Sequence, residues 1–405
     1  MTPAHLLWAR CTSPLLPPLC PSAPCVVPSP PMDTAKPRRL RPAIALLAAV
    51  LLVTLAPPRE SAAQEERLVL AFYYAWFAPG SWAGGRASDV PLSPYNSDDT
   101  AVIARHIDEA RSAGIDALVL NWWGAGNRTD TNLAALLGLA EQKGLRAAAV
   151  LDINSPFMSG SASYIENLRR LLAEHAARPA YLRYQGKPVV FFYNVSRLSV
   201  SAWGSIRDQV DPGRTSLWIA EGTDLGYQQV FDGHHLYSIA WSSGGAPSSI
   251  LPKWGDKVRS YNRTHGTAKL WVATVMPGYD DRGVRPRGGF ARSREGGDYY
   301  RQCWQAALAS RPDWVIVNSF NEWMEGTQIE PGRIHGGAYL DQTREWAAQF
   351  KQAVWPAAPA AQAPAVKPAA PKPAPTATPI PVPPPAEPPP LRQGFLSSRG
   401  RALPY

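Results

Sequence analysis

The chain has 405 residues, 41 Lys/Arg against 32 Asp/Glu for a net charge of +9, 45% hydrophobic residues, 42 prolines and four cysteines. The charge is uneven: six Lys/Arg against two Asp/Glu in residues 1–64, and five against one after residue 355, leave residues 65–355 at +1. A near-neutral centre gives no support for nucleic acid as a partner, and none is expected. Three cysteines (Cys11, Cys20, Cys25) precede residue 32, so Cys303 alone can make neither an intradomain disulfide nor a cysteine metal site.

Residues 1–31 carry little charge and no periodicity, and read as a non-native upstream extension before a start at Met32. Residues 32–63 read as a signal peptide: Lys36, Arg38, Arg39 and Arg41 precede the apolar residues 43–56, and Ser61-Ala62-Ala63 offers a cleavage site. That run is shorter than the roughly 20 residues of a membrane span. The expectation is a secreted or envelope-associated protein with no stable span after cleavage. An uncleaved anchor is the alternative.

From residue 68 short apolar runs alternate with helical patterns. Strands are expected at 68–77, 115–123, 145–153, 187–194, 216–222, 234–241, 268–278 and 313–323. Helical spacing marks 98–114, 132–144, 164–177, 251–266, 298–312 and 341–354. Near-continuous apolar strands separated by helices indicate a parallel sheet buried on both faces. Eight such units in residues 64–355 have the size of a single (β/α)8 TIM-type barrel. A doubly wound sheet fits less well, since "FYYAWFAPGSWAGG" after the first strand lacks the phosphate-binding glycine pattern. From residue 356 the chain is Pro/Ala-rich and reads as a disordered tail, with a stalk as the alternative.

In such barrels the chemistry sits where strands end. Those ends carry Tyr73, Tyr74 and Trp76; Asn121, Trp122 and Trp123; Asp152 and Asn154; Tyr193 and Asn194; Glu221; Tyr237, Trp241 and Ser242; and Asn321 with Glu322. Flat aromatic faces suit the C–H faces of sugar rings, while amides and carboxylates suit their hydroxyls. No His/Asp/Glu group has metal-ligand spacing, and His234 and His235, adjacent on a strand, must point to opposite faces. Neither metal nor cofactor is expected. Glycoside cleavage needs one carboxylic acid and one carboxylate, and "NSFNEWMEGTQIEPG" supplies Glu322 and Glu325 three positions apart. Capping the next turn or pairing with an arginine is the plainer role for either. Gln328 and Glu330 suit local hydrogen bonding.

"SFNEWMEGTQIEP" resembles the closing signature of glycoside hydrolase family 99, the endo-α-1,2-mannosidases and mannanases. "FYYAWF", "PYNSDDTAVIARHIDEARSAGIDALVLNWW", "FDGHHLYSIA" and "VMPGYDDRGVRP" are similar to further segments of that family, in the same order. The resemblance implies a barrel that hydrolyses α-mannoside chains internally with retention. In it Glu322 would take a proton from the sugar 2-hydroxyl to form a 1,2-anhydro sugar, and Glu325 would serve as general acid, then base. It also places Tyr74, Trp122, Tyr237 and Arg285 at site positions; Trp123, Asp152, Tyr279 and Asn321, at or just after the strand ends, are the further sugar-binding candidates. Three departures stand out: Met324 replaces a family histidine, Asp152 replaces a family Glu-Pro, and the segment before "PYNS" is shortened. A non-catalytic glycan-binding barrel displayed on the Pro-rich segment is therefore the rival reading.

Overall fold

The computed structural model describes residues 66–240 and 246–355, and in it eight parallel strands close into a barrel. They are β1 (Leu68–Tyr73), β2 (Ala117–Trp122), β3 (Arg146–Asp152), β4 (Lys187–Tyr193), β5 (Leu217–Glu221), β6 (Gly233–His235), β7 (Leu270–Val275) and β8 (Trp314–Val317). Each pairs in parallel with the next, and β8 closes onto β1 with Trp314 opposite Leu68. The eight-stranded (β/α)8 expectation holds. The upstream extension, the signal peptide, the Pro-rich tail, Trp241 and Ser242 lie outside the described residues. Among the described residues no helix is long and apolar enough to cross a membrane.

The strands are legible as apolar runs because helices cover one face and the barrel interior the other. LVLAFY in β1 and WVIV in β8 are buried throughout. Phe72 meets Phe191, His235 and Tyr237 across the interior, at ring separations of 6.2, 5.5 and 5.7 Å. His235 thus points inward, while His234 stacks outward on Trp254 at 5.2 Å. Burial pushes His234 down to about 3 and His235 to about 4, so both stay neutral near pH 7.

Three aspartates fix the strand starts at the far end of the barrel. Each sits just before an even-numbered strand and accepts the backbone N–H of the preceding strand: Asp116 from Val69 at 2.8 Å, Asp232 from Trp218 at 2.9 Å and Asp313 from Trp271 at 2.7 Å. A carboxylate here satisfies a donor that lies below the strand ladder.

The helices are α1 (Thr100–Ser112), α2 (Arg128–Lys143), α3 (Gly160–Arg170, continued by a π turn Leu171–His175), α4 (Val200–Val210), α5 (Pro247–His265), α6 (Asp298–Ala309) and α7 (Ala338–Gln352). Side chains of Asp99 and Asn127 cap α1 and α2. Two features depart from the sequence pattern. Spacing does not mark helix α4, because its buried face is Trp203, Ile206 and Arg207, and a charge breaks the apolar stripe. Between β5 and β6 there is only the short 3-10 turn Leu225–Gln229.

Candidate active site

Strand β8 ends at Val317, and the chain then folds into a tight loop over the C-terminal mouth of the barrel. The Asn318–Ser319 peptide is cis. Ser319 N–H donates to Thr327 at 2.9 Å, and the Ser319 hydroxyl accepts the Glu322 N–H at 2.6 Å. Residues Trp323–Glu325 make one 3-10 turn that ends on Gly326, at φ 62°. A side chain at 326 would be strained there, and its Cβ would lie 3.0 Å from the Asp280 backbone nitrogen. This turn brings Glu322 and Glu325 to one place.

Both plainer roles are present. Glu322 caps the turn by accepting the Met324 N–H at 3.1 Å, and Glu325 pairs with Arg285 at 3.1 Å. They do not use up the pair. Glu322 is 3% and Glu325 9% exposed. Burial first, and then the Glu325 charge, pushes Glu322 well above the usual carboxylate range. Burial also raises Glu325, opposed by Arg285 and by the Tyr237 hydroxyl at 3.2 Å. Arg285 and Tyr237 therefore favour the Glu325 anion against its burial.

Around the pair the strand ends converge. Tyr74, just past β1, reaches the Tyr237 hydroxyl at 2.8 Å; with Tyr237 donating to an ionised Glu325, Tyr74 donates to Tyr237. Arg285 is held by Tyr279 at 2.7 Å and by Asp281. On the adjoining rim Trp123 stacks on Trp76 at 4.8 Å, and Trp76 lies 4.8 Å from Tyr74. Asp152 accepts the Asn154 N–H at 2.9 Å and the Asn121 amide at 3.4 Å, and burial raises it above the ordinary aspartate value.

Not every expected sugar-binding residue reaches this mouth. Trp122 is corrected: it is fully buried in the helical layer, donating to Asp130 at 3.0 Å beside His175, because strand alternation sends one of two neighbouring tryptophans outward. Asn321 is also buried, and its amide bridges Tyr74 backbone N–H (2.8 Å) and C=O (2.9 Å), so it braces β1 against the loop. Tyr279 is 1% exposed, stacked on Phe290, and orients Arg285. Tyr193, named from sequence as a strand end but not as a sugar-binding residue, lies 4.7 Å from the Tyr237 ring and feels the charges of Glu325, Asp152 and Glu221. Its alternation with inward Phe191 was the available signal.

Glu221 closes the rim at the end of β5. Burial raises it to about 7 against one backbone N–H from Asn194 at 3.0 Å. A carboxyl 13C titration is expected to show a glutamate with a midpoint near 7 that vanishes in Glu221→Gln. A lost signal with a midpoint near 4.5 would mean that this side chain is solvated.

Among the described residues the cluster with metal-ligand spacing is His106, Glu109 and Glu330. It does not fit a metal: Glu330 already receives His106 at 2.8 Å, Tyr95 at 2.9 Å, Trp323 at 3.0 Å and Arg105 at 3.3 Å, and a guanidinium repels a cation. A groove of about 470 Å³ lined by Arg111, Asp116, Glu141, Arg146 and Lys351 lies apart from the carboxylate pair.

Known proteins resemble this chain in sequence, and a solved structure resembles it in fold. The chain is 29% identical over 297 residues to a Mus musculus glycoprotein endo-alpha-1,2-mannosidase-like protein, covering 64% of each. It is 26% identical over 377 residues to the Rattus norvegicus glycoprotein endo-alpha-1,2-mannosidase, covering 74% of this chain and 80% of that one. The chain thus spans somewhat less than two thirds of the mouse relative's length. The structure of the family 99 endo-alpha-mannosidase from Bacteroides thetaiotaomicron in complex with bis-tris propane superposes with a TM-score of 0.62 at 26% identity, over 70% of this chain and 97% of that one. The model of glycosyl hydrolase family 99 runs through residues 87–352, from the loop after β1 to the last residue of α7, and the chain belongs to that family.

Proposed function

We propose that the protein is an endo-acting glycoside hydrolase that cleaves α-mannosides with retention, through Glu322 and Glu325. The observation that carries this reading is the buried carboxylate pair at one 3-10 turn, both members raised by burial, with Arg285 and Tyr237 on Glu325. An acid–base pair working near neutral pH needs such tuning. In the proposed cycle Glu322 accepts the 2-hydroxyl proton as that oxygen closes on the anomeric carbon. Glu325 gives its proton to the departing oxygen and then takes one from the water that attacks the anomeric carbon and opens the 1,2-anhydro ring, as Glu322 returns its proton to the 2-oxygen. This role split needs Glu322 ionised in the complex, and sugar hydroxyls donating to it would favour that anion. The Trp76–Trp123 stack offers a platform for a neighbouring sugar, and Arg285 steadies Glu325. Mannose and the internal cut rest on the names of the relatives. Export rests on the basic and apolar pattern of residues 36–56.

The test is to incubate the full chain with α-1,2-linked mannan and with α-1,6-linked and β-linked controls, following reducing ends and the first-formed anomer by NMR. Oligosaccharides released from the α-1,2 polymer, initially as the α anomer, are expected. No release, combined with calorimetric binding of the same fragments, would overturn the hydrolase and favour a glycan-binding barrel. Met324 and Asp152, which depart from the resembled pattern, favour that second reading.

A further inference from the structure

Below the mouth, a buried polar relay joins α1 to the loop that carries Glu322. Its centre is Glu330, whose side chain has no solvent exposure. One carboxylate oxygen takes His106 at 2.8 Å and Arg105 at 3.3 Å; the other takes the Tyr95 hydroxyl at 2.9 Å and the Trp323 indole N–H at 3.0 Å. Burial would raise this carboxyl, but the facing His106, Arg105 and Tyr95 outweigh it and hold Glu330 below the usual range. It is an anion, and an anion only accepts.

That fixes the direction of every bond beyond it. Tyr95 must spend its proton on Glu330, so its oxygen can only accept from Asn321, whose amide nitrogen lies 3.2 Å away. The Asn321 amide group is then set, with its nitrogen towards Tyr95 and the Tyr74 carbonyl and its oxygen towards the Tyr74 N–H. Asn321 is the residue before Glu322. The geometry points to Glu330 as a positioning residue that, through the Tyr95 hydroxyl, locks the Asn321 amide and thereby the stance of Glu322 at the barrel mouth. The inference rests on the proposed function for its kinetic meaning only. Glu330 touches no reacting atom: it sets where the carboxylate pair stands.

Tyr95→Phe keeps the ring packed against Trp82 and His106 and removes only the relay hydroxyl. With α-1,2-mannan as substrate, kcat is expected to fall about tenfold or more while KM stays within about twofold, since a misplacement of about 1 Å can cost a hundredfold. Tyr300→Phe is the control: it loses an equally buried hydroxyl contact, to Thr343 at 2.8 Å between α6 and α7, and should keep kcat within about twofold. Equal kcat losses in the two variants, or wild-type kcat in Tyr95→Phe, would overturn the inference. Should Tyr95→Phe not fold, Glu330→Gln takes its place, because an amide turned towards Tyr95 reverses the relay. Failure of both to fold while Tyr300→Phe folds would also overturn it. A wild-type protein that cleaves no mannan defeats the proposed function alone. The crystal structure of Tyr95→Phe then decides: a displaced Glu322 supports the lock, and an unmoved Asn321 and Glu322 reject it.

Discussion

Glu325→Gln and Glu322→Gln are each expected to lower turnover by a factor of about 10²–10⁴, the usual worth of a positioned acid or base, while raising thermal stability. Each glutamine keeps the shape of the side chain but cannot exchange the proton. The stability gain follows from the same burial that tunes the pair. In the unfolded chain a glutamate titrates at about 4.3, whereas burial raises Glu322 well above that and raises Glu325 too. Below the unfolded value both states are protonated and nothing is lost. As pH rises through the folded values, the wild type must ionise carboxyls in a dry site and loses stability. The variants' melting temperatures should therefore match the wild type at acidic pH and exceed it increasingly towards pH 8. Calorimetry with matched rate measurements checks both halves. A variant that is fully active, or less stable than wild type at pH 8, would contradict this account.

Arg207→Ala should be the most damaging single change away from the mouth, by about 3–5 kcal/mol, the range for breaking a buried ion pair. Arg207 is 1% exposed on the inner face of α4. It donates to Asp232 at 2.6 Å, to Ser216 C=O at 3.1 Å and to Val230 C=O, and lies 5.0 Å over the Trp218 ring. Removing it leaves the buried Ser216 carbonyl and the half-buried Val230 carbonyl short of a donor, together with the carboxylate that holds the start of β5. The melting temperature should drop by on the order of 10 °C. A loss under about 1 kcal/mol would show that solvent reaches the gap.

The strands could be read from sequence because a strand buried on both faces has no polar side to confuse it; Leu68–Tyr73 and Trp314–Val317 are apolar without interruption. Helix α4 could not, since its inner face uses Arg207, and the reason a charge is tolerated there lies 25 residues away at Asp232. At the site, Glu322, Glu325, Tyr74, Tyr237 and Arg285 meet, as the convergence of strand ends implies. Trp122 and Trp123 could not be separated by type, only by alternation, and the outward one is named by its bond to Asp130. Glu330 looked local, yet its main partners are Tyr95 and His106, more than 220 positions earlier in the chain. Local pattern carries no trace of such a contact.

Asp116, Asp232 and Asp313 hold alternate staves of the barrel at the floor, remote from the carboxylate pair. Three strands are thus anchored from below, independently of the Asn321 brace at the mouth. Evolution is left free to rewrite the upper rim, and with it the choice of sugar, while the frame beneath keeps its footing.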